Sequence, residues 1–170
     1  MAYHERRSRQ WFFPALSTIL VFALAPVVVL AQLPSARLAS VFPAGAQPGQ
    51  QVEVTISGAD LDDVIQLQFS HPGITATQKM REPGSFETGL QPVANSFVVT
   101  VAENVPAGIH DVRAAGKYGT TNPRAFVVDS LPTMIEVEPN NIPGEGQELV
   151  QPSSLFGWLE EGTDVDYYQL

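Results

Sequence analysis

The sequence predicts an all-β protein, a β-sandwich followed by a second, shorter β-rich segment. Three observations carry this. Past residue 31 the apolar residues recur with a period of two: Val52, Val54 and Ile56 alternate with Glu53, Thr55 and Ser57, which puts each set on one face of a strand. Turn-formers punctuate the chain, with 14 Pro and 13 Gly in 170 residues, a density that favours turns over long helices. No long stretch after the N-terminal segment carries a helical period, and 44% hydrophobic content supplies enough apolar material for a core.

The N-terminal element, residues 1–31, is expected to be a secretory signal. Arg6, Arg7 and Arg9 precede an apolar run from Trp11 to Ala31 that ends on Val29-Leu30-Ala31, the layout of a basic start, an apolar middle and a small-residue exit. Cleavage is expected between Ala31 and Gln32. An uncleaved membrane anchor is the competing reading, because the run has about the length a bilayer requires. Pro14 and Pro26 interrupt it, and the exit favours cleavage. Either way the protein is expected to be exported, to the periplasm, the cell surface or the medium. It is expected to touch a membrane only through this segment, if uncleaved.

Residues 35–129 read as the sandwich. Ile65, Leu67 and Phe69 form a second alternating set and Phe97, Val99 and Val101 a third; turns fall at Gln47-Pro48-Gly49, Ser57-Gly58, His71-Pro72-Gly73, Glu82-Pro83-Gly84 and Pro106-Ala107-Gly108. This spacing suggests roughly seven strands over about 100 residues. Asp60-Leu61-Asp62-Asp63 reads as a loop whose carboxylates bond nearby amides rather than as a metal motif. His71 reads as a turn residue, His110 as a packed, hydrogen-bonded histidine sharing a face with Val112 and Ala114, and Lys117-Tyr118-Gly119 as a hairpin tip. No Gly-x-Ser-x-Gly elbow and no nucleophile–base pairing stands out, so no catalytic residue is assigned and the chain is read as a non-enzyme.

Phe42-Pro43-Ala44-Gly45 followed by Val52-Glu53-Val54-Thr55-Ile56-Ser57-Gly58-Ala59-Asp60-Leu61 resembles the start of an IPT/TIG domain. Pro106-Ala107-Gly108-Ile109-His110-Asp111-Val112-Arg113 resembles that family's penultimate strand, and Asn122-Pro123-Arg124-Ala125-Phe126-Val127-Val128 its last. The family often has an aromatic where this chain has His110. The resemblance implies an immunoglobulin-like spacer or interaction module without catalysis.

Residues 130–133 read as a linker, and residues 134–170 as the second module. Glu136, Glu138-Pro139-Asn140-Asn141, Gly157 and Asp164-Val165-Asp166-Tyr167-Tyr168 resemble the bacterial pre-peptidase C-terminal domain, a small secreted β-sandwich. Only its first third to half is covered. Two or three strands do not bury a sandwich core alone, so this segment is expected to be partly ordered at best, or to dock against something.

Charge sharpens the picture. The chain carries a net charge of −9; residues 32–129 hold 9 acidic and 6 basic residues, and residues 130–170 hold 8 acidic and none basic. That disfavours nucleic acid and anionic membranes, which attract Lys and Arg, and suits cations. Asp164 and Asp166, two apart, share a strand face, and Glu138, Asn140 and Asn141 add oxygen donors on a Pro-restricted turn. With no Cys in the chain and no His nearby, an all-oxygen set favours calcium over zinc or copper. Collagen-binding modules related to the resembled family hold calcium near such residues. The competing reading has Asp164 and Asp166 capping a turn. The expected function is an exported binding, spacing or surface-attachment protein whose partner is a protein or polysaccharide surface. The alternative is the front of a secreted hydrolase, a peptidase, whose catalytic part lies elsewhere.

Overall fold

A computed structural model of the chain describes residues 34–159, 162 and 164–170. The expected signal and the Ala31–Gln32 cleavage point lie outside the described residues. Nine strands occupy the first part: β1 (Arg37–Phe42), β2 (Gly45–Ala46), β3 (Gln51–Ala59), β4 (Gln66–Phe69), β5 (Ile74–Arg81), β6 (Gln91–Val101), β7 (Gly108–Gly116), β8 (Gly119–Thr120) and β9 (Arg124–Val128). Four shorter ones follow: β10 (Thr133–Ile135), β11 (Gln147–Glu148), β12 (Ser154–Phe156) and β13 (Tyr168–Gln169). The described residues contain no helix.

The first nine strands form two sheets packed face to face. One has the order β1-β3-β6-β5, antiparallel throughout; the other has β2-β9-β7-β4, with β8 closing a hairpin on β7. Alternation decides which side chains enter the core. Val54 and Ile56 of β3 and Phe97, Val99 and Val101 of β6 point inward from one sheet, and Leu67, Val112, Ala114, Phe126 and Val128 from the other, all buried. Phe69 meets Phe126 edge-on, ring centroids 5.3 Å apart. The Ile65-Leu67-Phe69 set departs from expectation at its first member. Ile65 precedes β4 and is 72% exposed. Asp63, at φ 55°, turns the chain just upstream, and loop residues Leu61 and Val64 take the inward places.

The chain crosses between the sheets at Pro43-Ala44. Gly45, first residue of β2, lies so close to β9 that a Cβ there would sit 2.2 Å from the Val127 carbonyl oxygen and 2.5 Å from Cζ of Phe156. Only glycine allows this approach, and the second contact comes from the tail. Leu33–Leu170 form one compact unit. The tail docks on the sandwich: Phe156 lies over Gly45, Trp158 meets Phe42 edge-on at 6.1 Å, Ser154 Oγ donates to Asp129 Oδ2 (2.5 Å), and Gln47 Nε2 donates to the Ser130 carbonyl (3.0 Å). Within the tail β10 runs parallel to β12 and β11 parallel to β13, so its two ladders are interleaved along the sequence.

Candidate metal centre

The tail is held by polar contacts. Among the described residues from 130 onward Asn140 is the one buried side chain, at 0% exposure, while Ile135, Val137, Val150, Leu159 and Val165 are all exposed. Its centre is Glu136, immediately after β10. Glu136 Oε1 accepts from Asn140 Nδ2 (2.8 Å) and from the Tyr168 hydroxyl; Oε2 accepts from the Trp158 backbone N–H (2.5 Å). One carboxylate thus ties β13, the segment after β12 and the Glu138–Asn140 turn. Gly157 leaves room for it, since a Cβ there would stand 2.8 Å from Oε2. In the turn Glu138 Oε2 accepts from the Asn140 N–H (2.9 Å), and the Asn140 carbonyl accepts from the Tyr167 N–H (2.9 Å).

Asp166 completes the group. One carboxylate oxygen from each of Glu136, Glu138 and Asp166 lies within 4.8 Å of the other two. Oxygen ligands bind calcium at about 2.3–2.6 Å, so ligands on opposite sides of one ion stand about 5 Å apart and the cluster has the right dimensions. Two acceptor atoms are buried without a partner among the described residues, Oδ1 of Asn140 and Oδ1 of Asp166. A buried acceptor with no donor is costly, and a cation satisfies acceptors without donating a hydrogen bond. The residues present therefore fit a hard cation.

The electrostatics match. Burial pushes the Asp166 carboxyl above the usual range, and the charges of Glu136 and Asp164, a hydrogen bond to Glu136 and the charge of Glu138 push the same way. Burial also acts upward on Glu136, but bonds from Tyr168, the Trp158 amide, Asn140 and Asp166 outweigh it and hold that carboxyl below its ordinary value. Without a cation Glu136 is the charged member of the pair and Asp166 the one that resists ionising. Tyr168 is driven above the usual phenol range by burial, by its bond to Glu136 and by the surrounding carboxylates.

Of the five residues expected as ligands, Glu138, Asn140 and Asp166 come together here. Asn141 and Asp164 form a separate pair beside them: with its amide turned so that the nitrogen faces these acceptors, Asn141 donates to Asp164 Oδ1 (2.6 Å) and to the Val165 carbonyl (3.2 Å). Glu136 was not expected as a ligand. Its signal was the Glu136-x-Glu138 spacing, which repeats the one-face logic applied to Asp164-x-Asp166.

The other singled-out residues have local roles. His71 Nδ1 accepts from the Gly73 N–H (3.1 Å) in its turn; the His110 ring bonds the Pro106 carbonyl through Nε2 (3.0 Å). Asp60 Oδ2 accepts from the Ser35 N–H (3.2 Å) in the loop after β3. Lys117 and Tyr118 occupy the β7–β8 hairpin tip, with Nζ 5.6 Å from the ring centroid.

No protein-family model matches the chain, and a search of curated proteins returns no significant match.

Proposed function

We propose that the chain is a non-catalytic β-sandwich protein acting outside the cytoplasm as a binding or spacing module, and that Glu136, Glu138, Asn140 and Asp166 hold a calcium ion that completes its tail. The observation that carries this is the polar centre itself: three carboxylates meet where Asn140 Oδ1 and Asp166 Oδ1 lack a donor. No Lys or Arg occurs from residue 130 to 170, so the segment supplies no cation of its own. An all-oxygen donor set selects a hard ion, and flexible loop carboxylates suit calcium better than the strict octahedron of magnesium. The docked seam at Phe156 and Trp158 supports the spacer reading, because it fixes the tail's direction relative to the sandwich. The finer assignment, an IPT/TIG-like module followed by a pre-peptidase-type module, rests on the resemblances given above.

The test is thermal melting of the purified protein with calcium, with magnesium and with chelator. An ion bound only by the folded state raises the melting temperature with concentration. The expected result is a higher melt in calcium than in chelator, with the increment lost in Asp166→Asn. Identical melts in calcium and chelator overturn the reading.

A further inference from the structure

The seam between tail and sandwich leaves an open groove of about 430 Å³. Its walls are the end of β1 (Ser40 and Phe42), Leu155, Phe156 and Trp158 from the tail, and Arg124 at the start of β9. Trp158 stays 41% exposed although it packs on Phe42. Arg124 is shared with a second depression that runs along β1 and is also lined by Arg37 and Ser57. An apolar slot thus leads, past one arginine, into a hollow with another.

These two arginines stand out in an acidic protein. Among the described residues the ion pairs are Lys79–Glu53 and Arg81–Glu87, so neither Arg37 nor Arg124 takes a carboxylate. Arg124 spends Nε on the Leu38 carbonyl (2.9 Å), which anchors the guanidinium against the strand. Among the described residues β1 is also an outer strand of its sheet, paired with β3 alone. Near its start its other side is covered, where the Asn122 side chain bonds both the amide and the carbonyl of Leu38 and Arg124 Nε shares the carbonyl. A free strand edge suits another backbone, neighbouring pockets select its side chains, and guanidinium groups select carboxylates.

We propose that this edge is a docking site for an extended acidic–apolar peptide segment of another protein, which lays an apolar side chain in the Phe42–Leu155–Trp158 groove and a carboxylate on Arg124 and Arg37. The proposal gives the binding module a partner class and uses no residue of the cation cluster. Its failure is therefore separable from that of the calcium reading, which is judged by the melt.

The test is fluorescence polarisation of the full chain with labelled short peptides, in calcium and again in chelator. One peptide alternates Asp with Leu, a second alternates Lys with Leu, and a third alternates Asp with Ser. The expected result is saturable binding of the Asp–Leu peptide that weakens with salt, with neither other peptide matching it. Arg124→Glu should weaken it about tenfold or more, the scale of one charge-assisted contact. Lys117→Glu, a charge reversal at the β7–β8 hairpin tip, which lines neither depression, should leave it unchanged. Should Arg124→Glu disturb folding, as read by its melt, Arg37→Glu gives the same readout without touching the Leu38 contact. Failure of the Asp–Leu peptide to bind, equal binding of the Lys–Leu peptide, or parent-like affinity in the folded arginine variants overturns the proposal. So does saturable binding of polygalacturonate with no binding of the Asp–Leu peptide.

Discussion

Replacing Glu136 by Gln changes one oxygen to nitrogen at the centre of the tail, and the structure sets the size of the effect. Besides the Asp166 carboxyl, which also bonds it, three fixed donors point at this carboxylate: the Tyr168 hydroxyl and Asn140 Nδ2 at Oε1, and the Trp158 N–H at Oε2. A Gln side chain retains one acceptor. If its oxygen keeps Tyr168 and Asn140, its amide group faces the Trp158 N–H, donor against donor; turned over, it faces two. At least one donor is orphaned, at about 1–3 kcal/mol, and the charge assistance of the other bonds is lost as well. The loss falls on the tail, because no core residue of the sandwich touches this carboxylate through a hydrogen bond. Hydrogen exchange with mass-spectrometric readout resolves the two regions. Amides of β10, β12 and β13 should exchange about 5- to 150-fold faster, the rate equivalent of that free energy, while β3 and β6 keep their protection. Unchanged exchange in the tail would show that Glu136 does not organise it. Equal loss in both regions would show that the tail and sandwich unfold as one unit, and the local argument would be wrong.

Two further perturbations probe the seam and the charges. Gly45→Ala places a methyl 2.2 Å from the Val127 carbonyl and 2.5 Å from the Phe156 ring; backbone cannot yield cheaply there, so a loss of about 1–3 kcal/mol or more is expected in denaturant unfolding, and parent-like stability would refute the close packing. Acid should loosen the tail and the 81–87 loop. Bonds from Tyr168, Trp158 and Asn140 outweigh burial at Glu136, the Ser154 hydroxyl lowers Asp129, and the Arg81 guanidinium lowers Glu87. Each contributes stability above its unfolded value that is lost as pH falls through the lower folded one. Asp166, raised, has the opposite sign and loses its contribution as pH rises through its folded value. Without calcium, melting temperature should therefore fall as pH drops below the ordinary carboxylate range; a flat profile there would contradict these assignments.

The sandwich was legible because its information is local and periodic. Val54-x-Ile56 and Phe97-x-Val99-x-Val101 state which face is buried, and the structure buries all five. β5 was not singled out, for a physical reason. It is an edge strand, and past Ile74 its inward positions are only half-buried, so selection for an apolar alternation is weak. Ile65 misled for the converse reason: an apolar residue in phase with a strand but lying between a left-handed turn at Asp63 and the first residue of β4 points outward. In the candidate site, the donors on the Glu138–Asn141 turn and at Asp164–Asp166 were readable from spacing. Their division into a three-carboxylate cluster and an Asn141–Asp164 pair was not, because it depends on how β10, β12 and β13 interleave. The same holds for Glu136, whose partners lie 4, 22 and 32 residues away.

That interleaving also explains why a tail with so little apolar burial is ordered at all. An ordinary sandwich fragment would fail here, since its strands are too few to enclose a core. This one inverts the arrangement, with apolar side chains facing outward or against the sandwich and a carboxylate group at the centre. Such a centre is stable only if its charges are compensated. Hydrogen bonds to Glu136 supply part of the compensation, and Phe156 and Trp158 tie the assembly to a preformed surface. What they leave over is the crowding of Glu136, Glu138 and Asp166 and the two unpartnered oxygens. On the proposed calcium reading, the tail gains stability from a counter-charge in a way the sandwich does not. A cation that neutralised the cluster would at the same time stiffen the segment carrying Trp158, whose amide is bound to Glu136.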